Sequence, residues 1–249
     1  YMSQEPVPDF SIIIPAYNEA ELLPATLERM NAVVAEITTH RGEIVVTDND
    51  STDSTGEIAR RHGARVIEEP IRQIARARNT GGKHSRGRYS IFVDADTLIT
   101  AELLRQSLAA LDGGDCVGGG TLIDAQADRS HAGWAVAVSV SSWNFLSICC
   151  NWACGAYVFC RRDAWEAVGG FDETSYASEE IHFSNALKRW GKANGCKFRV
   201  LRVHIATSMR KLHWYSPLRI LGMCLRLVLQ PSRMKSREGC GLWYERPES

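Results

Sequence analysis

Several short motifs that would assign a cofactor at once are missing from this chain of 249 residues. No GxGxxG follows the first predicted strand, which excludes the usual glycine pattern of a dinucleotide-binding fold. The phosphate-binding pattern GxxxxGK followed by Ser or Thr is missing as well. Eight cysteines are present, but no pair has the spacing CxxC that structural zinc sites usually show. We therefore expect small, buried, reduced thiols in a cytosolic protein, not a disulfide framework or a zinc centre.

The chain also lacks a net charge, because 29 Lys and Arg residues balance 29 Asp and Glu residues. The balance indicates no nucleic-acid partner, and we expect none. The basic side chains are nevertheless concentrated in two segments, residues 60–88 and 199–237, and the second segment contains no acid before residue 238. Such segments suggest anionic ligands or a membrane surface, and two solvated faces are the remaining interpretation.

A long stretch without charge runs from Ala132 to Cys160 and at first resembles a membrane span. Its serines, its asparagines and Gly155 argue against that interpretation, since a spanning helix needs about 20 predominantly apolar residues. The N-terminal sequence YMSQEPVPDF is polar and contains proline, so it does not resemble a signal peptide. We expect a cytoplasmic protein, with peripheral contact to the cytoplasmic membrane face as an alternative.

Apolar runs typical of strands alternate with helical patterns over the first half of the chain. The runs FSIIIPAY, GEIVVTDND, ARVIEE and YSIFVDAD are strand-like. The segments between and after them, residues 19–38, 51–63, 71–85 and 101–111, have the spacing or the terminal residues of helices. This alternation predicts an α/β fold with a mainly parallel central sheet and helices on both faces.

Polar residues follow the C-terminal ends of three of these strands, at Pro15–Glu19, Asp48–Asp50 and Asp94–Asp96. Ligands of open α/β sheets bind at that edge, so the three groups predict one site.

Two functions of the last group remain open from its residues alone. In a phosphatase of the haloacid-dehalogenase type, Asp94 would attack phosphorus and Asp96 would act as acid and base. In a nucleotide-binding enzyme, the two carboxylates would hold a divalent cation against phosphate oxygens. The phosphatase is the weaker interpretation, because three strand–helix units precede the motif and no GDxxxD follows it.

Five ordered blocks carry a resemblance to a known family. SIIIPAYNEA, VVTDNDSTDST, ARARNTGGKHSRGRYSIFVDADT, GAYVFCRRDAWEAVGGFDE and SEEIHFSNALKRWGK resemble, in order and spacing, the family 2 glycosyltransferases of GT-A fold. The resemblance implies a single GT-A domain over residues 1–249. That domain would contain a nucleotide-sugar-binding half at 10–115, an acceptor and catalytic-base half at 116–215, and a C-terminal amphipathic helix with a basic tail at 216–249.

The same resemblance implies a function. The protein would move a sugar, with inversion and with the help of Mn²⁺ or Mg²⁺, from a nucleotide-diphospho-sugar to an acceptor hydroxyl. A UDP-sugar is the expected donor, and the acceptor would be a glycan, a lipid-linked molecule or a small molecule. A non-catalytic relative that binds nucleotides or glycans is the alternative, and an aspartyl-phosphatase is the less favoured one.

Roles of donor-side residues follow from the matching positions. Asp48 would read the base, and Arg78 would face the base or the diphosphate. Asp96 would coordinate the metal directly, with Asp94 between the ribose and the metal. The full set expected to bind the donor is Pro15, Ala16, Tyr17, Glu19, Asp48, Arg78, Lys83, Asp94, Ala95 and Arg210.

The general base would be Glu180, because SEEIHF matches the acidic block of the family with Glu180 at its second acid. A carboxylate within reach of the acceptor hydroxyl removes its proton during attack, an effect typically worth about 10²–10⁴-fold. Glu179 is the competing base. Adjacent helical residues point about 100° apart, so only one can face the sugar, and we expect Glu179 to cap the helix N-terminus.

Assignments beyond residue 192 keep their alternatives. His204 would complete the metal shell or be a structural histidine of the strand. The segment containing Arg210 and His213 would close over the diphosphate or form a solvated turn. A helix at 217–229 would pack on the domain, which we favour, or contact a membrane through its arginines. Three aromatic residues would stack on a sugar or fill the core, namely Trp143, Trp152 and Tyr157.

Overall fold

The computed structural model describes residues 6–124 and 133–208, together with Lys235 and Cys240, and for residues 133–136 it gives the backbone alone. Arg210, His213 and the predicted helix at 217–229 lie outside the described residues. A sheet of eight strands forms the centre of the described part. The strands are β1 (Phe10–Ala16), β2 (Gly42–Asp48), β3 (Arg65–Glu68), β4 (Tyr89–Val93), β5 (Thr97–Leu98), β6 (Cys116–Ile123), β7 (Tyr157–Arg161) and β8 (Lys197–Thr207).

The strands lie in the order β3-β2-β1-β4-β7-β6-β8-β5. The first four are parallel to one another, and β6 is parallel to β8. β7 runs antiparallel between β4 and β6, and the short β5 is antiparallel to β8. The predicted mainly parallel sheet is therefore confirmed. Because β7 joins the two parallel groups, the segments before and after residue 115 share one sheet.

Helices cover both faces of this sheet, as predicted. They are α1 (Leu23–Ala35), α2 (Thr55–Arg61), α3 (Ile74–His84), α4 (Ala101–Asp112), α5 (Gly133–Cys150), α6 (Arg162–Val168) and α7 (Glu179–Ala193). Successive side chains of a strand point to opposite faces. Accordingly Ile12 of β1 belongs to one buried cluster with Leu27 of α1 and Leu104 of α4, and Ile13 belongs to a second cluster with Phe183 of α7.

The uncharged stretch of the sequence forms α5 and β7, which are separated by a short loop. In the described part of the chain, no helix has both the length and the apolar character that crossing a membrane requires.

Two helices start later than their sequence patterns predict. α1 begins at Leu23 instead of Glu19, because the preceding turn is held by the neighbouring loop. There the Glu19 N–H donates to the Thr55 hydroxyl at 2.8 Å, and the Ala20 N–H donates to Asp53 at 3.2 Å. These bonds tie the turn in front of α1 to the loop that follows β2.

α3 begins at Ile74 instead of Ile71, again because a side chain binds the backbone in front of it. The Asn49 amide donates to the carbonyl oxygens of Glu69 at 2.9 Å and Ile71 at 2.7 Å, and it accepts from the Gln73 N–H at 2.9 Å. Asn49 is buried, so the loop between β3 and α3 is tied to the end of β2.

Candidate active site

Asp94 and Asp96 lie on a tight turn just beyond the end of β4. The Thr97 N–H donates to the Asp94 carbonyl at 3.1 Å, and the Asp94 N–H donates to the Ala156 carbonyl at 3.2 Å. The two aspartates are partly exposed, whereas Ala95 between them is buried. The turn therefore has a fixed backbone and leaves both aspartates accessible at the carboxyl edge of the sheet.

The end of β8 lies against the second aspartate. The Ser208 N–H donates to the Asp96 carbonyl at 3.2 Å, and the Thr207 hydroxyl donates to Asp96 Oδ1 at 3.4 Å. The buried Thr97 hydroxyl donates to Thr207 Oγ1 at 2.9 Å. Thr97 therefore ties the aspartate turn to β8.

Arg78 of α3 is 2% exposed and lies between the aspartate turn and α7. Its Nη1 donates to Glu179 Oε1 at 2.7 Å, and its Nη2 donates to Asp94 Oδ1 at 3.0 Å and to the Gly155 carbonyl at 2.8 Å. Burial alone would lower the pKa of Arg78, but the charges of Asp94, Glu179 and Glu180 raise that pKa above its ordinary value. Arg78 is therefore a fixed cation among three carboxyl groups. The expectation that it faces the base or the diphosphate does not match this burial.

Glu179 and Glu180 form the start of α7 and have different surroundings. Ser178 before them has a left-handed backbone with φ 62°, which is uncommon for a residue other than glycine. Glu179 is buried and pairs with Arg78, whereas Glu180 is partly exposed. The two acids thus differ in exposure, and Glu179 was expected only to cap the helix. It forms a buried ion pair instead, because a buried carboxylate needs a partner.

The carboxyl group of Glu180 lies beside Gly155. A Cβ atom placed on Gly155 would be 3.7 Å from Glu180 Cδ and 3.5 Å from Arg78 Nη2. Burial raises the pKa of Glu180, the charge of Glu179 raises it further and Arg78 opposes the shift, which leaves the pKa at about 8. A carboxyl group with a pKa near the working pH is suited to exchange a proton with a reacting hydroxyl.

The end of β2 supplies Asp48 to the same edge. Asp48 Oδ1 accepts from the Ser51 N–H at 3.1 Å. A Cβ atom on Gly56 of α2 would lie only 2.6 Å from Asp48 Oδ2, so the absence of a side chain there lets the carboxylate approach the helix. Asp48 is partly exposed at this edge, so its carboxylate is accessible to a ligand.

The loop after β1 places Tyr17 beside Asp48's loop. The Arg72 guanidinium carbon lies 3.5 Å from the centre of the Tyr17 ring, a distance typical of a cation–π contact. Pro15 and Tyr17 are partly exposed, and Ala16 and Glu19 are buried. Of these four residues, all of which belong to the set expected to bind the donor, two therefore offer surface to a ligand.

Lys83 is not near this edge, although it was expected to bind the donor. It is exposed near the C-terminal end of α3, next to His84. The His84 carbonyl accepts from Arg65, the first residue of β3, so this end of α3 lies at the amino edge of the sheet. α3 starts at the carboxyl edge and crosses the sheet, which places Lys83 at the far end from Asp94.

His204 lies on β8 and is exposed, so it is not a buried structural histidine. Within the described ranges, no group of three or more His, Cys, Asp or Glu residues is arranged to hold a metal ion. The structure thus does not place His204 in a ligand cluster with Asp94 and Asp96. Arg210, two residues beyond Ser208, lies outside the described residues.

Among the residues that the structure describes, the two carboxylates have no third protein ligand beside them, and such a pair suits an ion that is shared with a substrate. Mg²⁺-type ions keep several waters and are usually bound by one or two carboxylates plus phosphate oxygens, not by an all-protein cage. Asp94 and Asp96 are both partly exposed oxygen donors on one turn. The donor set therefore fits Mn²⁺ or Mg²⁺ bound together with a diphosphate.

The three aromatic residues considered for sugar stacking have different positions. Tyr157 is fully buried and its hydroxyl is 2.8 Å from the Ser107 hydroxyl, so it belongs to the core. Trp143 is partly buried and packs against the first core cluster. Trp152 is partly exposed, and its Nε1 donates to Asn185 of α7 at 3.1 Å. Of the three aromatic residues, Trp152 is therefore the one that lies against α7, the helix that begins with Glu179 and Glu180.

Comparison with known proteins identifies the family. A family model described as glycosyl transferase family 2 matches residues 11–144, more than half of the chain. The chain belongs to glycosyl transferase family 2. The match begins in β1, includes Asp48, Arg78 and both aspartates, and ends in α5. Membership of this family removes the support for the aspartyl-phosphatase interpretation and confirms the predicted family.

Relatives of this family member are named as glycosyltransferases. Glycosyltransferase AglE of Haloferax volcanii is 29% identical over 194 residues, which cover 72% of this chain and 60% of AglE. Validoxylamine A glucosyltransferase of Streptomyces hygroscopicus subsp. jinggangensis is 32% identical over 110 residues, which cover 42% of this chain and 26% of the relative. The chain thus spans less than two thirds of the length of each of these relatives, 60% of AglE and 26% of the glucosyltransferase.

Solved structures confirm the GT-A fold. Glucosyl-3-phosphoglycerate synthase of Mycobacterium tuberculosis, in complex with Mn²⁺, UDP and glucosyl-3-phosphoglycerate, matches with a TM-score of 0.60 at 19% identity. That match covers 97% of this family member and 82% of the synthase. The mannosyltransferase PcManGT of Pyrobaculum calidifontis, in complex with GDP-Man and Mn²⁺, has a TM-score of 0.57 at 22% identity over 79% of this chain and 55% of its own.

Several residues of the site carry no signal in the sequence. Gly155 is one of 20 glycines, and Thr207 ends an apolar strand. Arg72 does not belong to the predicted donor-binding set. Its position between β3 and the start of α3 nevertheless places it at the carboxyl edge of the sheet. The buried pairing of Arg78 with Glu179 joins residues far apart in the sequence, so spacing alone gives no sign of it.

Proposed function

We propose that this protein is a metal-dependent, inverting glycosyltransferase that moves a sugar from a nucleotide-diphospho-sugar to an acceptor hydroxyl. The observation that carries the proposal is the convergence of Asp94 and Glu180 around Arg78 at one edge of the sheet, with Asp96 on the same turn as Asp94. The family and the GT-A fold support it. A non-catalytic relative that binds nucleotides is the second candidate, and turnover separates the two.

In this mechanism Glu180 accepts the proton of the acceptor hydroxyl as that oxygen attacks the anomeric carbon. The raised pKa of Glu180 gives it the basicity for this step near neutral pH. Attack and departure occur on opposite faces of the sugar, so one displacement inverts the anomeric centre. Glu179 is held by Arg78 and takes no proton from the acceptor.

Asp96 and Asp94 would hold Mn²⁺ or Mg²⁺ against the diphosphate. Such an ion neutralises charge that develops on the leaving phosphate oxygens. The contacts of Asp96 with Thr207 and Ser208 fix the direction of this aspartate before any ligand binds. In this proposal, donor binding and proton transfer are carried out by different elements: Asp96 lies on the turn after β4, and Glu180 lies in the first turn of α7.

The nucleoside would lie between Tyr17 and Asp48. Asp48 accepts a hydrogen bond from the base, and Pro15 and Tyr17 supply apolar contact. We favour a UDP-sugar because at least four of the matched solved structures contain UDP or UDP-GlcNAc, whereas PcManGT contains GDP-Man. The acceptor belongs to the broad set of glycans, lipid-linked molecules and small molecules with a free hydroxyl.

Thermal shift measured with and without Mn²⁺ tests this proposal directly. A ligand that binds only the folded protein raises its stability. We expect UDP-glucose, UDP-GlcNAc or GDP-mannose to raise Tm only when Mn²⁺ is present, and Asp96→Asn to abolish that increase. The active protein should then release UDP or GDP from the stabilising donor. Metal-dependent binding without any release would favour the non-catalytic relative, and metal-independent binding would contradict the proposed role of Asp96.

A further inference from the structure

Arg78 connects three segments that come from distant parts of the chain. It binds Asp94 at the end of β4, the Gly155 carbonyl before β7 and Glu179 at the start of α7. Both terminal nitrogens of the guanidinium are occupied by these contacts, and the side chain is 3% exposed. Its Nε is buried without a hydrogen-bond partner in the described part of the protein. A side chain this enclosed offers almost no surface to a ligand.

Glu180 depends on the same connection for its location. Glu179, which precedes it, is the residue of α7 that Arg78 holds, and the Gly155 carbonyl bonded to Arg78 belongs to the residue beside the Glu180 carboxyl group. A planar guanidinium binds several acceptors in fixed relative directions, which an ammonium group cannot do. One side chain thus contacts Asp94 and also the two residues that adjoin Glu180, namely Glu179 and Gly155.

We propose that Arg78 is a positioning residue that fixes the first turn of α7, and with it Glu180, relative to the aspartate turn after β4. This inference rests on the proposed function, since it assigns Glu180 the proton transfer. It differs from the family-based expectation that Arg78 contacts the donor. Arg78 acts on the reaction through Glu179 and Gly155, and it leaves donor binding to Asp48, Asp94 and Asp96.

The test compares Arg78→Lys with a structural arginine elsewhere. Lysine keeps the positive charge but cannot hold three acceptors in the fork geometry. Arg162→Lys is the matched control, because Arg162 is partly buried and binds both Glu166 and Ser85 near the amino edge of the sheet. Both variants lose a fork-shaped contact between segments, so both are expected to lower Tm.

The expected result is a specific loss of turnover. A misplacement of about 1 Å can cost roughly 10²-fold in rate, so kcat of Arg78→Lys should fall by about that factor at a temperature where the variant is folded. The Kd for UDP with Mn²⁺, measured by calorimetry, should stay within about threefold of the wild type, since a factor of three is less than 1 kcal/mol. Arg162→Lys should keep the wild-type kcat.

Two outcomes would overturn the inference. A weakened Kd for UDP with unchanged kcat would mean that Arg78 binds the diphosphate, and a lowered Tm with unchanged kcat would mean that it is only structural.

Hydrogen exchange adds a readout that needs no activity. Peptides covering residues 175–183 should exchange faster in Arg78→Lys than in Arg162→Lys, and equal exchange would contradict the positioning role even if the wild type transfers no sugar.

Discussion

Glu179 and Glu180 are chemically identical side chains that the first turn of α7 places in different surroundings. Glu179 is buried against Arg78 and Glu180 is partly exposed beside Gly155. Burial and the neighbouring charge raise the pKa of Glu180 above the ordinary carboxyl range. Glu179 thus forms a buried ion pair that connects two helices, whereas Glu180 is accessible and is the residue that we propose for proton transfer.

Glu180→Gln tests this division by removing the base and keeping its shape. We expect kcat to fall by about 10²–10⁴-fold, the usual contribution of a general base, with the Kd for UDP and Mn²⁺ unchanged. The rate of the wild type should rise with pH up to about 8, where Glu180 loses its proton, and this limb should disappear in the variant. Glu102→Gln, an exposed acid in the first turn of α4, is the control. Wild-type kcat in Glu180→Gln would remove Glu180 as the base.

The same substitution should stabilise the fold at higher pH. A carboxyl group whose folded pKa is raised above 4.5 contributes stability below 4.5 and loses it as pH rises through the folded value. Tm of Glu180→Gln should therefore exceed that of the wild type by a margin that grows between about pH 5 and pH 8. A constant margin would show that the environment of Glu180 does not shift its pKa.

Gly56→Ala is expected to separate stability from donor affinity. Alanine is favoured over glycine inside a helix by about 1 kcal/mol, so the change should not lower the free energy of unfolding. Its Cβ would stand 2.6 Å from Asp48 Oδ2, and the carboxylate must move away. We expect several-fold weaker UDP binding in calorimetry. Gly113→Ala, where the nearest atom to a new Cβ is 3.5 Å away, should bind UDP normally. Unchanged UDP affinity in Gly56→Ala would argue against base recognition by Asp48.

At the scale of the elements, Glu43 joins three of them at the amino edge. This side chain of β2 accepts from the Ser11 hydroxyl of β1 at 2.7 Å, and it pairs with Arg65 of β3 and with Arg86 before β4, each at 3.2 Å. The Glu43 side chain is 9% exposed. Burial alone would raise its pKa, but the bonds from Ser11 and the Arg86 N–H and the charge of Arg65 lower the pKa below 4.5.

Glu43→Gln should lower the free energy of unfolding at neutral pH by about 1–3 kcal/mol, the cost of leaving buried groups without their partner. A depressed folded pKa contributes stability above the unfolded value and loses it as pH falls through the folded value. The difference between wild type and variant in urea unfolding should therefore shrink below about pH 4.5. Glu36→Gln, which removes an exposed pair with Arg105, should have little effect at any pH.

At the scale of the whole molecule, one sheet connects the donor side to the base side. β4 carries the aspartates, β7 lies next to it, and β6 and β8 follow. The segment at Trp152–Gly155 runs along α7, with Ala153 N–H donating to the Ser184 hydroxyl at 3.1 Å. The two proposed halves of the chain therefore depend on each other for a complete core.

Unfolding should accordingly be a single cooperative transition. All seven tryptophans lie after residue 115, so fluorescence reports on the second half, whereas far-UV circular dichroism reports on both. We expect the urea midpoints from the two probes to coincide, which is the usual test of two-state behaviour. Fragment 1–115 is the control, because it lacks β7 and should not unfold cooperatively on its own. Separate midpoints would indicate two independently folding halves.

The strands and their polar ends could be predicted because they depend on local patterns. Apolar runs separated by helical patterns indicated β1 to β4. The acids that follow β2 and β4 lie at one edge of the sheet because parallel strands end on the same side. Helix starts were less predictable, since Asn49 and Thr55 hold loops through contacts with other segments. Lys83 was placed wrongly because sequence proximity to β4 does not indicate that α3 crosses the whole sheet.

The sequence by itself determined the α/β class, the family and the candidate acids Asp94, Asp96 and Glu180, because these follow from periodicity and ordered motifs. Only the tertiary structure decided which carboxylate each basic side chain pairs with. Arg78 meets Glu179 and Asp94 although about 100 and 16 residues separate it from them. Such pairings form when strand order and helix direction bring distant segments together, and a buried charge then selects its partner by distance and desolvation instead of by spacing along the chain.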